Sequence, residues 1–144
     1  MGAPYWRPDV RGLITGLTRN SDWKSLVRAV VESVAYQSYD LFNSMKKDGL
    51  KPKIIKVDGG MVSNNWFSQF LSDVINLNVV KPRVLETTAL GVALFAGYQV
   101  GEFKSLNEIK HIWKKDRVFS PKLNKSLRNN LLQGWKVAIR KTLA

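Results

Sequence analysis

Two short apolar runs, "KIIKV" at 53–57 and "NVV" at 78–80, place the strongest constraint on the fold of this chain. Each run is rich in β-branched residues, as buried strands are, and each is followed by a segment with helical spacing of apolar residues. A long helical pattern precedes the first run. This order of elements is typical of α/β proteins, in which crossovers connect parallel strands. The sequence therefore predicts a short parallel sheet flanked by helices.

Four helices are predicted from the spacing of apolar residues and from residues suited to cap helix ends. The first should end at Lys46–Lys47, before a left-handed Gly49. The third, at 86–101, is apolar on nearly all sides and is therefore expected to be buried. Residues 102–119 show no regular pattern. The predicted helices begin near Ser21 or Asp22, near Ser63 or Asn64, near Thr87 or Thr88, and at Ser120–Pro121.

The predicted sheet is too small for the helices around it. Besides the two convincing strands there is only a doubtful extended piece near Leu13–Ile14, whereas sheets usually contain about four to six strands. Two strands cannot cover the apolar faces of three helices. We therefore expect residues 1–144 to form a single partial domain, which self-associates or pairs with a missing domain.

Composition narrows the function classes. The net charge of +12 and the pI near 10.1 raise nucleic acid as a partner, but the basic residues are scattered as singles and pairs, so this partner is disfavoured. The absence of cysteine excludes disulfides and thiolate metal sites and favours a cytoplasmic location. No membrane-spanning run or signal peptide is evident, and no metal-ligand cluster is found.

The stretch "VDGGMVSNN" at 57–65 is the best candidate site. A strand that ends in two glycines before a helix can simply be a turn, with Asn64 as the helix cap. The same arrangement suits a nucleotide, because the missing side chains let a ligand lie on the backbone and the helix start offers free N–H groups. The residues alone leave both interpretations open.

Several linked motifs resemble the C-terminal domain of the FGGY carbohydrate kinases. These are "GAPYWRPDVRGLITGLTR" with "LVRAVVESVAYQ", and the continuous segment from "VDGG" to "VGEF", so that the resemblance covers about residues 2–103. The family fold is an actin-like, ribonuclease-H-like ATPase of two α/β domains, with ATP and substrate in the cleft between them. The resemblance implies that this chain corresponds to the later portion of the C-terminal domain, with the N-terminal kinase domain absent from it.

The resemblance implies particular roles. Within the family, "GAPYW" is typical of members that transfer a phosphoryl group from ATP to glycerol. Gly60 and Asn64 would contact the nucleotide on its adenosine side, and Gly59 would allow the approach. The catalytic base, the phosphate loop and the glycerol contacts fall outside this chain, and so no catalytic residue is assigned. ATP as co-substrate and Mg²⁺ would both need the missing half, and the isolated chain should be inactive.

Other polar residues are assigned structural roles. Asp9 and Arg11 are expected to hold their loop together, Asp58 to support its turn, and His111 to lie on the surface. Two alternatives to a glycerol-specific kinase remain. One is a fragment of a kinase for another polyol or sugar, and the other is a standalone basic binding or interaction module.

Overall fold

The computed structural model describes residues 1–144 and contains five helices and three strands. A single 3₁₀ turn, Gly60–Ser63, connects the first strand to the second helix. None of the helices combines the length and the hydropathy needed to span a bilayer. In chain order, the elements are α1 (Trp23–Lys47), β1 (Ile54–Lys56), α2 (Asn65–Ile75), β2 (Asn78–Pro82), α3 (Thr87–Gln99), α4 (Leu106–Ile112), β3 (Lys115–Phe119) and α5 (Lys125–Leu143).

The sheet is mixed and has the order β1–β2–β3. β1 and β2 are parallel, as the sequence predicts, and Ile55 lies opposite Val79. β3 pairs with the far side of β2 in antiparallel orientation, with Val79 opposite Phe119. The prediction of an all-parallel sheet is therefore wrong, because β3 lies in the segment that shows no regular pattern and carries three charged residues in five positions. The doubtful piece at Leu13–Ile14 forms no strand.

α2 forms the centre of the core. Eight of its eleven residues are buried, and it packs between α1, β2 and α5. Tyr36 of α1 meets Phe70 of α2 edge to face at 5.5 Å and stacks on Trp135 of α5 at 5.4 Å. These aromatic contacts join three helices on one side of the sheet. The predicted starts of α1 and α2 and the predicted end of α1 are confirmed to within a few residues, with Asp22 and Asn64 as the N-caps.

α5 begins at Lys125, and so the predicted start at Ser120–Pro121 is wrong. The preceding residues are attached to Asp73, a buried carboxylate of α2. Its Oδ1 accepts hydrogen bonds from the backbone amides of Lys122, at 2.5 Å, and Leu123, at 3.3 Å. These bonds tie the segment between β3 and α5 to α2. Asn124 then caps α5 by accepting from the amide of Leu127.

The inner face of α5 combines buried and partly buried residues. Leu132 and Ile139 are its buried residues, with Leu131 and Trp135 partly buried beside them, whereas Leu127 is 44% exposed. Asp40 of α1 connects this helix to the N-terminal segment, because its Oδ2 accepts from the indole of Trp135 at 2.6 Å and from the hydroxyl of Tyr5 at 2.7 Å.

α3 is the largest departure from expectation. It forms nearly where the sequence predicts, yet none of its residues is buried, and Val92 and Phe95 are more than 60% exposed. The expectation that this helix is buried is wrong for the chain by itself, because no element of the 144 residues covers it. An uncovered apolar helix of this kind marks an interaction surface.

Candidate nucleotide site

The candidate site is the turn that carries the chain from the end of β1 into α2. Gly59 has φ 85° and ψ 174°, a backbone conformation that residues other than glycine rarely adopt. This geometry reverses the chain at the carboxyl end of the sheet. Ligands of open α/β sheets bind at this end, in the crevice outside the strands.

Gly60 leaves open space beside its backbone. A β-carbon built at this residue meets no atom within 4 Å, and its φ lies outside the left-handed region. Nothing inside the chain therefore requires a glycine at position 60. A glycine with neither a steric nor a conformational reason within the chain is consistent with a ligand or another chain segment that approaches the backbone there.

Asn64 is the N-cap of α2. Its Oδ1 accepts from the backbone amides of Trp66, at 2.9 Å, and Phe67, at 3.3 Å. The capping interpretation of this residue is thus confirmed. The side chain is exposed, and its amide NH₂ group makes no hydrogen bond within the chain, so it remains free to donate to a ligand. The cap fixes the orientation of that donor, and the two roles are compatible.

The turn is coupled to the start of α3. The amide of Gly59 donates to the carbonyl of Leu85 at 2.9 Å, and the hydroxyl of Thr87 donates to the carboxylate of Asp58. The loops that follow β1 and β2 are therefore joined at the same edge of the sheet. The structural role expected of Asp58 is consistent with this contact.

A buried lysine of the sheet forms a hydrogen bond with the first residue of α2. Lys81 of β2 donates to Oδ1 of Asn65 at 2.9 Å and forms an ion pair with Asp116 of β3 at 3.2 Å. Its side chain is only 11% exposed, so both partners are needed to compensate its desolvation. Sequence reasoning missed this group, since the only signal is a lysine inside a short strand.

A cleft of about 310 Å³ opens beside Asn64, between the first turns of α1 and α2. Its walls include two tryptophans, Trp23 and Trp66, and two cations, Lys24 and Arg28. Sequence reasoning missed this cleft as well, because its residues come from two helices and lie more than 30 positions apart in the sequence.

The remaining sequence candidates are placed outside this site. Asp9 pairs with Arg7 at 2.6 Å rather than with Arg11, and the guanidinium of Arg7 lowers the pKa of Asp9 to about 2. His111 is exposed on α4, as expected. No group of three or more potential metal ligands forms in the structure.

The profile of the FGGY family of carbohydrate kinases, C-terminal domain, matches residues 1–100. The chain belongs to this family. The match covers well over half of the 144 residues and includes both the "GAPYW" segment and the turn at Gly59–Gly60. The expected fold relationship is therefore confirmed, although the sheet is mixed.

The family's glycerol kinases include close relatives. The chain is 50% identical over 144 residues to a glycerol kinase of Gluconobacter oxydans and 48% identical over 139 residues to one of Alteromonas mediterranea. The matches cover 99% and 96% of this chain but 28% of each relative. The chain thus spans less than a third of the length of these relatives and is homologous to their C-terminal portion.

Solved structures show the same relationship. The glycerol kinase of Plasmodium falciparum, crystallised with ADP, superposes with a TM-score of 0.83 at 35% identity, over 99% of this chain and 29% of that one. A ligand-bound xylulose kinase of Lactobacillus acidophilus gives 0.77 at 26% identity, over 98% of this chain and 29% of that one. Among these solved structures, the glycerol enzyme is therefore the more similar in both sequence and shape.

Proposed function

We propose that the 144 residues form the adenosine-side wall of the ATP site in a glycerol kinase. The intact protein would transfer the γ-phosphoryl group of ATP to glycerol and yield glycerol 3-phosphate. One observation carries the proposal. The turn at Gly59–Gly60 exposes bare backbone and the Asn64 amide at the carboxyl end of the sheet, in a chain 50% identical to a glycerol kinase.

In this proposal, each of the three residues of the wall has its own role in nucleotide binding. Gly59 makes the reversal, Gly60 lets the nucleotide lie against its backbone, and Asn64 donates through its free NH₂ group. Phosphoryl transfer depends mainly on positioning and on charge stabilisation across a closed cleft. The catalytic base and the phosphate loop would come from residues outside this chain, and we propose a cytoplasmic location for the whole enzyme.

Mg²⁺ does not fit these 144 residues alone. The carboxylate of Asp58 is engaged by Thr87, and no cluster of three potential ligands forms. Mg²⁺ prefers several oxygen ligands in octahedral geometry. We therefore assign the ion no ligand and no step in this chain.

The proposal is tested by grafting. This chain replaces the C-terminal 28% of the Gluconobacter oxydans glycerol kinase, and ATP-dependent formation of glycerol 3-phosphate is measured on the purified chimera. We expect the chimera to be active and the isolated 144-residue chain to be inactive. A chimera that is folded and monodisperse but inactive, in both the Gluconobacter and the Alteromonas protein, would overturn the proposal.

A kinase for another sugar or polyol is the main rival. The full-length gene product that contains this chain is assayed with glycerol, xylulose and a panel of polyols. Faster phosphorylation of one of these than of glycerol would favour the rival. The chimera cannot serve for this test, because the glycerol contacts are expected outside this chain and would come from the host enzyme. The higher similarity to the Plasmodium glycerol kinase than to the xylulose kinase supports glycerol.

A further inference from the structure

We propose that the groove between α1 and α5 is the docking surface for β-strands of the segment that directly precedes this chain in the whole kinase. The groove has a volume of about 560 Å³ and is larger than the cleft beside Asn64. Its walls come from α1, α5 and the extended piece at Leu13–Ile14, and most of its lining residues are apolar. This docking surface rests on one part of the proposed function, namely that the 144 residues belong to a longer enzyme.

A second face of α1 is apolar and uncovered. Leu26, Val30, Leu41 and Met45 lie on one side of the helix, because they are spaced by four or eleven residues. Val30 is 63% exposed, and the other three are 36–40% exposed. The side of α1 that is covered within the chain is a different one, marked by the fully buried Ala35. Since Leu26 and Val30 also line the groove, the uncovered face and the groove form one continuous apolar surface.

Two stretches of extended backbone beside this surface have unpaired hydrogen-bonding groups. β1 lies at the edge of the sheet, and residues 8–17 make no backbone–backbone hydrogen bond. The ammonium of Lys141 donates to the hydroxyl of Thr15 at 3.2 Å and holds the second stretch against α5. Unpaired edges of this kind accept an added strand, whose alternate side chains fill pockets next to the edge. A docked helix would leave the same backbone groups unpaired, so the occupant is a strand.

The start of the chain lies next to the groove. Oδ2 of Asp40 accepts from the hydroxyl of Tyr5 at 2.7 Å and from the indole of Trp135, a groove residue, at 2.6 Å. The glycerol kinases that match this chain extend well beyond it, because the match is to their C-terminal 28%. A segment joined to residue 1 is therefore held close to the groove at high effective concentration, an advantage that a second copy of the chain lacks.

The chimera with the Gluconobacter oxydans kinase tests the docking surface by cysteine labelling. The chain contains no cysteine, so Val30→Cys places one reactive thiol on the groove. A maleimide labels the native protein, and mass spectrometry of the peptide that contains residue 30 separates this thiol from host cysteines. The reference is the isolated chain carrying Val30→Cys, in a dilute sample that is monomeric by sedimentation. We expect labelling to be about tenfold slower or more in the chimera, since a covered thiol reacts only when the structure opens locally.

Gln133→Cys is the matched control, because Gln133 is exposed on α5 and does not line the groove. Its thiol should be labelled at the same rate in the isolated chain and in the chimera. Equal labelling rates for Val30→Cys in the isolated chain and in a folded chimera would overturn the proposal.

A photoreactive benzoylphenylalanine at position 30 of the chimera identifies the occupant. We expect cross-links to the host segment that directly precedes the junction. Cross-links to a remote part of the host or to a second copy of the chain, or no cross-link at all, would overturn the proposal. The kinase function is decided separately. A folded but inactive chimera that is protected at residue 30 supports the docking surface alone, and an active chimera that is unprotected there overturns the docking surface alone.

Discussion

Asn64 caps α2 and, under the proposed function, also donates to the nucleotide, and the two roles can be separated experimentally. In the chimera, Asn64→Ala should lower stability by about 1 kcal/mol through loss of the cap, and weaken ATP binding about ten- to a hundredfold through loss of the donor. The Michaelis constant for glycerol should change much less. Thermal unfolding and ATP titration on one preparation measure both effects.

Asn124→Ala is the matched control for that variant. Asn124 caps α5 by the same side-chain contact, with Oδ1 2.8 Å from the amide of Leu127, and lies far along the chain from the turn. It should lower stability by a similar amount and leave ATP affinity unchanged. Equal ATP affinity in both variants would mean that Asn64 is only a cap.

The two adjacent glycines should respond in opposite ways. Gly59→Ala places a side chain at φ 85° and ψ 174° and should cost about 1–3 kcal/mol of stability. Gly60→Val meets open space and a permitted φ, so stability should change by less than about 0.5 kcal/mol, while ATP affinity in the chimera falls sharply. Unchanged ATP affinity in folded Gly60→Val would argue against nucleotide contact at this residue.

At the scale of elements, Asp40 connects three parts of the molecule: α1, α5 and the N-terminal segment. Partial burial, then the hydrogen bond to Asp40, raises the pKa of Tyr5. A raised folded-state pKa means that this contribution to stability is fully present below the ordinary tyrosine pKa of about 10 and is lost as pH rises above it. The alkaline range is thus where this contact is tested.

Tyr5→Phe should lower stability at about pH 8 by roughly 0.5–1.5 kcal/mol, the usual value of one hydrogen bond. The difference in the free energy of unfolding between this variant and the parent chain should narrow towards about pH 11. The parent chain loses stability there as Tyr5 ionises on unfolding, whereas phenylalanine cannot ionise. Urea unfolding at several pH values measures the gap. Tyr39→Phe, from the same helix as Asp40, is the control. A gap that is constant with pH would contradict the interpretation.

Local pattern predicted some elements well and others poorly. α1, α2, β1 and β2 follow from apolar spacing, caps and β-branched runs, because in these segments local preference and tertiary packing agree. β3 and the start of α5 could not be predicted from local pattern, since β3 pairs with β2 across 33–40 residues and the segment before α5 is attached to Asp73 across 49 residues. The turn was recognised through its glycines, whereas the cleft beside it required the folded structure.

At the scale of the whole molecule, α3 decides how the isolated chain behaves. Its exposed apolar surface, together with the unpaired edge of β1, should make the chain self-associate at concentrations on the order of tens of micromolar. Sedimentation and binding of an apolar dye measure this. The double variant Val92→Lys with Phe95→Lys should reduce both signals. A parent chain that is monodisperse and binds no dye would contradict the prediction.

The grafted chimera provides a further comparison for α3. If the rest of a glycerol kinase covers this helix, the chimera should bind little dye, and the lysine variants should destabilise it by several kcal/mol, since burying an unpaired charge is costly. The same substitutions would then reduce self-association of the isolated chain and lower the stability of the chimera. Identical effects in both contexts would mean that α3 stays uncovered.

Two hydrogen bonds, Gly59 to Leu85 and Thr87 to Asp58, couple the turn to the first residues of α3. A ligand that shifts this turn would therefore also shift the first residues of α3. A shift at the carboxyl end of the sheet would then reach the exposed apolar surface of α3 without passing through the core. Under the proposed function, nucleotide binding and the position of α3 would therefore be linked.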